Sequence, residues 1–162
     1  LTRLDRDTFG IVLLAKNAHV HTLLQNTRVQ KTYHALTFGG PADDSGTIDA
    51  PIARRPLPSL LRYVDASGKP SMTRYQVLER HCRYTKLALE PVTGRTHQLR
   101  VHCAHKGFPI LGDPQYGSEA SQAFSRELGL PHQMLCAKAL DLIHPITEEH
   151  LHLESRLNVN WR

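Results

Sequence analysis

The chain alternates apolar and polar residues over several stretches, and a period of two is typical of strands with one buried face. Residues 30–38 show this pattern, with Thr32, His34 and Leu36 expected on one side. The continuous apolar run from Phe9 to Ala15 predicts a buried strand. Further strands are predicted over residues 71–78, 84–91, 134–143 and 150–157. The pattern therefore predicts a sheet of several strands.

Helical patterns are fewer and shorter. Asn17 is predicted to cap a first helix, a second is predicted over 98–106 with Thr96 as its N-cap, and a third over 120–128. The proline-rich segment 51–70 predicts irregular structure or short strands. Many strands with a few interspersed helices predict an α+β fold built on a largely antiparallel sheet.

The bulk composition is that of one globular domain, with 162 residues of which 40% are hydrophobic and 22% charged. No run approaches the ~20 apolar residues of a membrane-spanning helix, and no signal peptide is recognisable. Three cysteines without a CxxC pair favour a reduced, intracellular protein. We therefore expect a single cytoplasmic domain over residues 1–162, monomeric and with no membrane partner.

The charge balance favours an anionic partner. Lys and Arg total 20 against 15 Asp and Glu, for a formal net charge of +5. Nucleic acid is the first candidate, because neutralising phosphates releases bound counterions. A charge of this size is equally compatible with solubility alone.

The segment TGRTHQLRVH, residues 93–102, concentrates basic and polar side chains at a predicted helix start. Unpaired amides and the helix dipole at such an end suit a phosphate or a carboxylate, and Arg95 lies just before the predicted cap. The alternative is an amphipathic helix with a solvated basic side.

Histidines raise the question of a metal-dependent hydrolase. The candidate ligands are His97, His102, His105, His150 and His152. HEXXH is absent, and the five-residue spacing between His97 and His102 does not stack two ligands on one helix face. Nucleophile-elbow, P-loop and dinucleotide-binding motifs are also absent. A metal site is therefore the less favoured interpretation.

Four segments together resemble the RluA-type pseudouridine synthases, in order from residue 3 to about 145. They are RLDRDTFGIVLLAK, KTYHAL, EPVTGRTHQLRVHCAHKGFPILGDPQYG and MLCAKALDLIHP. The chain departs from the family pattern at Thr2, Phe9 and Cys136, where His, Ser and His are usual. Family members also carry a segment before the first block, so we expect this chain to be a domain truncated at its N-terminus.

The resemblance implies a pseudouridine-synthase-like mixed sheet and an activity that isomerises uridine to pseudouridine in ribosomal or transfer RNA. It implies no cofactor, because the reaction transfers no group and oxidises nothing. The alternatives are a non-catalytic RNA-binding relative acting in RNA folding or ribosome assembly, and a protein-interaction domain. The latter leaves TGRTHQLRVH unexplained.

The resemblance also implies roles for single residues. Asp5 matches the catalytic carboxylate, Arg95 the guanidinium that pairs with it, and Tyr33 the residue that stacks under the target base and is a candidate to take the C5 proton. Leu99 or Leu135 would line the apolar wall, with Leu135 favoured.

Other arginines are expected to hold the RNA. Arg3 would fill the stack left by the extruded uridine or grip a phosphate. Candidates for backbone contacts are Arg54, Arg55, Arg62, Arg74 and Arg100. For each of these, a solvated basic surface is the alternative.

Overall fold

The computed structural model describes residues 2–160, in which three helices accompany nine strands. The helices are α1 (Ala18–Gln25), α2 (Gln98–His105) and α3 (Glu119–Glu127). The strands are β1 (Phe9–Gly10), β2 (Val29–Phe38), β3 (Ser45–Asp49), β4 (Ile52–Arg54), β5 (Arg62–Val64), β6 (Met72–Arg80), β7 (Tyr84–Pro91), β8 (Leu135–Ile143) and β9 (His150–Glu154).

Seven strands form one sheet in the order β1-β8-β2-β7-β6-β3, with β9 also paired to β8, and β4 and β5 form a separate hairpin. β1 runs parallel to β8, and every other pair among the described strands is antiparallel. β8 carries β2 on one edge, and β1 and β9 one after the other on its second edge. The predicted α+β fold with a mixed, largely antiparallel sheet is confirmed.

The alternation along β2 divides the core between the two faces of the sheet, as the sequence pattern predicts. Tyr33 and Ala35 pack in a first cluster with the α2 residues Leu99 and Cys103. Leu36 packs in a second cluster, whose other buried members are Leu111, Phe124, Cys136 and Val159. Thus α2 covers one face, and α3, through Phe124, covers the other.

The strand predicted from Phe9 to Ala15 is wrong in length, because β1 has only two residues. Val12 and Leu14 are 44% and 76% exposed, so the apolar run does not form a buried strand. The other predicted elements occur where they are predicted, with ends shifted by up to three residues. Strand β3 (Ser45–Asp49) is not among the predicted strands. The proline-rich segment contains the β4–β5 hairpin.

The edge of β8 explains why β1 is short. The Ile11 amide donates to the Ala137 carbonyl oxygen at 3.0 Å, and from Ala139 onward the same edge is occupied by β9. The chain after β1 therefore has no strand to pair with. It instead folds back, and the Leu13 amide donates to the Thr2 hydroxyl oxygen at 2.8 Å.

No helix in the described range 2–160 combines the length and apolar character that crossing a bilayer requires.

Gly10 is the point where β1 meets β8. Its φ is +119°, and an added Cβ would lie 2.2 Å from the Ala137 carbonyl oxygen. Left-handed backbone and contact with a backbone oxygen both disfavour a side chain here. The parallel pairing of β1 with β8 therefore depends on glycine.

We expect Gly10→Ala to lower the free energy of unfolding by about 3 kcal/mol, because it combines backbone strain with overpacking. Gly39→Ala is the matched control, since Gly39 has a φ of +69° but an added Cβ would meet nothing within 4 Å. That variant should lose only about 1 kcal/mol. Urea denaturation measures both, and equal losses would contradict the proposed clash.

Candidate active site

A cavity of about 420 Å³ opens between the loop that carries Asp5, strand β2 and the start of α2. Six of the seven predicted site residues line it, namely Arg3, Asp5, Tyr33, Arg95, Leu99 and Leu135. The seventh, Arg100, is buried and does not line the cavity. The structure thus brings together residues that are far apart in the sequence.

The loop carrying Asp5 is held by a turn and by a buried glutamine. The Thr8 amide donates to the Asp5 carbonyl oxygen at 3.0 Å. Gln133, which precedes β8, donates from Nε2 to the Arg6 carbonyl oxygen at 2.6 Å and to the Thr8 hydroxyl at 3.1 Å. This turn and Gln133 hold the loop, rather than the long apolar strand that is predicted directly after it.

Arg100 is the guanidinium that contacts Asp5. Its Nη1 lies 3.8 Å from Asp5 Oδ2. Its Nε and Nη2 donate to the two carboxylate oxygens of Asp113 at 2.7 and 2.8 Å, and Nη2 also donates to Gln115 Oε1 at 2.8 Å. Arg100 is only 3% exposed, so the predicted contact between Arg100 and the RNA backbone is wrong.

The predicted ion pair between Arg95 and Asp5 is also wrong within the described part of the chain. Arg95 Nε instead donates to the Pro70 carbonyl oxygen at 3.2 Å, and its side chain lies on the exposed rim of the cavity. The physical reason is position relative to α2. Arg95 precedes the helix, whereas Arg100 is its third residue and faces the protein interior.

Asp113 compensates the buried charge of Arg100. Two backbone amides, those of Gln115 and Tyr116, donate to its Oδ1 at 2.9 and 3.1 Å. Burial opposes the charged form of Arg100, but the hydrogen bonds and negative charge of Asp113 outweigh it and raise the arginine pKa. A permanent positive charge therefore lies beneath Asp5.

The charge of Asp5 acts on the Tyr33 hydroxyl across the cavity. Burial raises the pKa of the Tyr33 hydroxyl, and the negative charge of Asp5 raises it further. The phenol is therefore neutral at physiological pH. The side chain packs against the first core cluster and lines the same cavity as the carboxylate.

Gln98 fixes the loop that forms the opposite rim. Its Oε1 accepts from the Thr93 hydroxyl at 2.8 Å and from the Arg95 amide at 3.0 Å. Its Nε2 donates to the Met72 carbonyl oxygen at 2.8 Å and to the Thr73 hydroxyl at 3.0 Å. The TGRTHQ segment is thus attached to β6 by one side chain.

His97 also lines the cavity, where no role is predicted for it from the sequence. It is the N-cap of α2, in place of the predicted Thr96, with a φ of 57° and no side-chain capping bond. Its Nδ1 lies 2.7 Å from the Tyr116 hydroxyl, which accepts from the Arg62 amide at 3.0 Å. Left-handed backbone at a non-glycine residue marks a site held by its surroundings. Tyr116 belongs to the motif GDPQYG, which the sequence analysis includes, but the sequence does not predict its contact with His97.

The histidines considered as metal ligands do not come together at one site. His102 is buried, with Nε2 2.9 Å from the Ala50 carbonyl oxygen and Nδ1 2.8 Å from the Thr73 hydroxyl. His152 and His150 lie 2.7 and 3.5 Å from Asp141 at the sheet edge. Within residues 2–160, no group of three or more His, Cys, Asp or Glu has the geometry of a metal site.

Solved structures with this fold are pseudouridylate synthase domains. One is titled Human RNA Pseudouridylate Synthase Domain Containing 1, with a TM-score of 0.80, 30% identity, and coverage of 94% of this chain and 66% of that one. Another is Human RNA Pseudouridylate Synthase Domain Containing 4, with a TM-score of 0.64, 28% identity, and coverage of 86% and 62%. The fold therefore defines a pseudouridylate-synthase-like domain.

The sequence identifies the family directly. The sequence model of the family described as RNA pseudouridylate synthase matches residues 1–105, and this chain belongs to that family. The predicted family resemblance is confirmed.

Curated relatives agree with this assignment. Ribosomal large subunit pseudouridine synthase C of Vibrio cholerae is 36% identical over 162 residues, which cover 98% of this chain and 51% of the relative. Ribosomal large subunit pseudouridine synthase D of Haemophilus ducreyi is 40% identical over 170 residues, covering 98% and 52%. The chain thus spans about half the length of the curated relatives it matches.

We expect Arg100→Gln to lower the free energy of unfolding by about 3 kcal/mol, because it leaves the buried carboxylate of Asp113 without its guanidinium. Arg95→Gln should change it by no more than about 0.5 kcal/mol, since that side chain is on the rim. Chemical denaturation compares the two variants. Similar losses would contradict the assignment of Arg100 as the structural arginine.

Stability should also fall as the pH drops below about 6.5, the usual histidine value. Burial lowers the pKa of His34, His97 and His102 in the folded protein, so the unfolded chain binds more protons in this range. His102 can contribute up to about 1.4 kcal/mol per pH unit. Denaturation between pH 5 and 8 tests this. His102→Gln should flatten the slope and the exposed His19→Gln should not, and an unchanged slope in His102→Gln would contradict it.

Proposed function

We propose that this chain is the catalytic part of an enzyme that isomerises uridine to pseudouridine in RNA, with ribosomal RNA the first candidate. Family membership and the names of the ribosomal large subunit relatives support the proposal. The observation that carries it is the cavity in which Asp5 lies over the buried guanidinium of Arg100 and shares the space with Tyr33.

The cavity has the size and surfaces that an extruded nucleoside needs. Its volume of about 420 Å³ lies within the usual range for small-ligand pockets. Leu99 and Leu135 supply buried apolar surface, and the Tyr33 ring supplies an aromatic face on which a base can stack. Extrusion is required because C1′ and the C5 edge are inaccessible inside a stacked helix.

Asp5 is proposed as the catalytic carboxylate. The reaction breaks the bond from C1′ to N1, joins C1′ to C5, removes the proton from C5 and leaves N1 protonated, so atoms balance without a co-reactant. Arg100 Nη1, 3.8 Å from Asp5 Oδ2, stabilises negative charge on the carboxylate. The geometry is compatible with attack by Asp5 on the sugar or the base, and with removal of a ribose proton.

Tyr33 is proposed to stack on the base and to take part in moving the C5 proton. Because its pKa is raised, a free phenolate is disfavoured. A neutral Tyr33 can accept the C5 proton only as it releases its own, and Asp5 is the nearby carboxylate able to receive it. Two protons would then move in a relay, the C5 proton to Tyr33 and the Tyr33 proton to Asp5. Transfer of a proton from Asp5 to N1 returns both side chains to their starting states.

The RNA backbone is proposed to run across the basic rim. Arg3 and Arg95 border the cavity with exposed side chains, and Arg54 and Arg55 of the β4–β5 hairpin are also exposed. Phosphate contacts of this kind make affinity fall with salt.

We expect Asp5→Asn to abolish pseudouridine formation while RNA binding persists, because the change removes the charge but keeps the shape. Carbodiimide mapping of large-subunit ribosomal RNA and of transfer RNA, incubated with the purified chain, measures the product. Asp7→Asn, in the same loop, is the control and should retain activity. Normal turnover by Asp5→Asn, or no product from the unmodified chain on either RNA, would refute the proposal.

We expect Tyr33→Phe to lower kcat by at least about 100-fold, the scale of a lost proton-transfer group. The dissociation constant for RNA should change by no more than about twofold, because the ring that stacks on the base remains. Single-turnover kinetics and fluorescence anisotropy separate the two effects. Unimpaired kcat would limit Tyr33 to stacking.

A further inference from the structure

A second cavity, of about 360 Å³, continues from the candidate active site along β2. The two cavities share Val29 and Lys31. The side chains of Lys31 and Tyr33 lie on the same face of β2, since residues two apart on a strand point the same way. The second cavity has polar groups in its lining, among them Thr2, His21 and Gln25.

Lys31 is half-buried at the junction of the two cavities, yet it lacks an acceptor. Among residues 2–160 its side chain makes no hydrogen bond and no ion pair within 4.0 Å. Burial lowers its pKa, and no neighbouring carboxylate offsets that effect. An ammonium group in this position is therefore partly desolvated without compensation.

The two other half-buried lysines of the sheet are each paired with a glutamate. Lys86, with a side chain 12% exposed, pairs with Glu79 at 3.2 Å, and Lys138, 14% exposed, pairs with Glu154 at 3.0 Å. Partial burial of a charge is costly unless an opposite charge accompanies it. Lys31 differs from both in facing a cavity, and no carboxylate among residues 2–160 pairs with it, so the ammonium group is open to a partner that enters the cavity.

We propose that Lys31 binds a phosphodiester of the RNA immediately next to the extruded uridine, and that the second cavity receives the strand on that side. This inference rests on the proposed function, because it is the nucleoside in the first cavity that brings its flanking phosphates to Lys31. Arg100 cannot serve this role, since Asp113 and Asp5 already occupy it.

The position of Lys31 favours a flanking phosphate over the uracil itself. The carboxylate of Asp5 and the guanidinium of Arg100 define the reacting end of the cavity, whereas Lys31 lies where the two cavities join. A nucleoside that enters the first cavity remains joined to the RNA strand through its two flanking phosphates. The strand on at least one side must therefore leave the first cavity through an opening.

The test uses an RNA hairpin of about 20 nucleotides that contains the uridine modified by the unmodified chain. Neutral methylphosphonate replaces the phosphodiester on either side of that uridine, one at a time. Binding is measured with Asp5→Asn protein, so that no turnover occurs, alone and combined with Lys31→Gln, Lys31→Arg or Lys106→Gln. Lys106 is exposed at the end of α2 and serves as the control.

One of the two neutral linkages should weaken binding about tenfold, the scale of a charged hydrogen bond. In the Lys31→Gln protein, the same neutral linkage should cause no further loss of RNA affinity. In the Lys31→Arg and Lys106→Gln proteins, it should still weaken binding about tenfold. Lys31→Gln should not lower thermal stability, because it removes an uncompensated charge.

Additive effects of Lys31→Gln and both neutral linkages would overturn this inference. In that case, uridine conversion by the unmodified chain would leave the proposed function standing. If the unmodified chain converts no uridine, the proposed function fails and the assignment of Lys31 fails with it.

Discussion

The site depends on one buried ion pair, that of Arg100 with Asp113. A guanidinium with 3% exposure is tolerable only if its donors are satisfied, and the bidentate contact at 2.7 and 2.8 Å does this from a turn that is itself fixed by backbone amides. What remains is Nη1, directed toward Asp5 at 3.8 Å. The contact with Asp5 is thus longer and partly solvated, which leaves the carboxylate held electrostatically and still available to a substrate.

Asp5 also depends on a constraint at the edge of β8. Two strands share that edge, so β1 can occupy only the part before Ala139. Gly10 permits the close approach, and Gln133 holds the preceding turn. A two-residue strand contributes little stability, but it determines where the loop begins. The position of the carboxylate is therefore determined by backbone packing at long range.

The sequence pattern was sufficient to predict most strands of the sheet and the three helices, because period-two alternation and helix caps are local signals. Most of the predicted cavity lining came instead from the resemblance to the family. It was insufficient to choose between Arg95 and Arg100. Successive residues of a helix are rotated by about 100°, so the inward-facing arginine depends on where the helix begins. The sequence favoured Thr96 as the cap, whereas the observed cap, His97, has no capping side-chain bond. The partners of Arg100 lie in the following turn, and no spacing rule indicates them.

The structure also accounts for the three departures from the family pattern. Phe9 and Cys136 are register partners in the β1–β8 pairing, and both pack in the second core cluster, on the sheet face opposite the cavity. Phe9 is larger than the usual Ser, and Cys136 is smaller than the usual His. The pair can therefore fill a volume similar to that of the usual pair. The Thr2 hydroxyl accepts from the Leu13 amide, and Thr2 lines the second cavity and not the one that contains Asp5. None of the three departures lines the cavity that contains Asp5, so they give no support to a non-catalytic role.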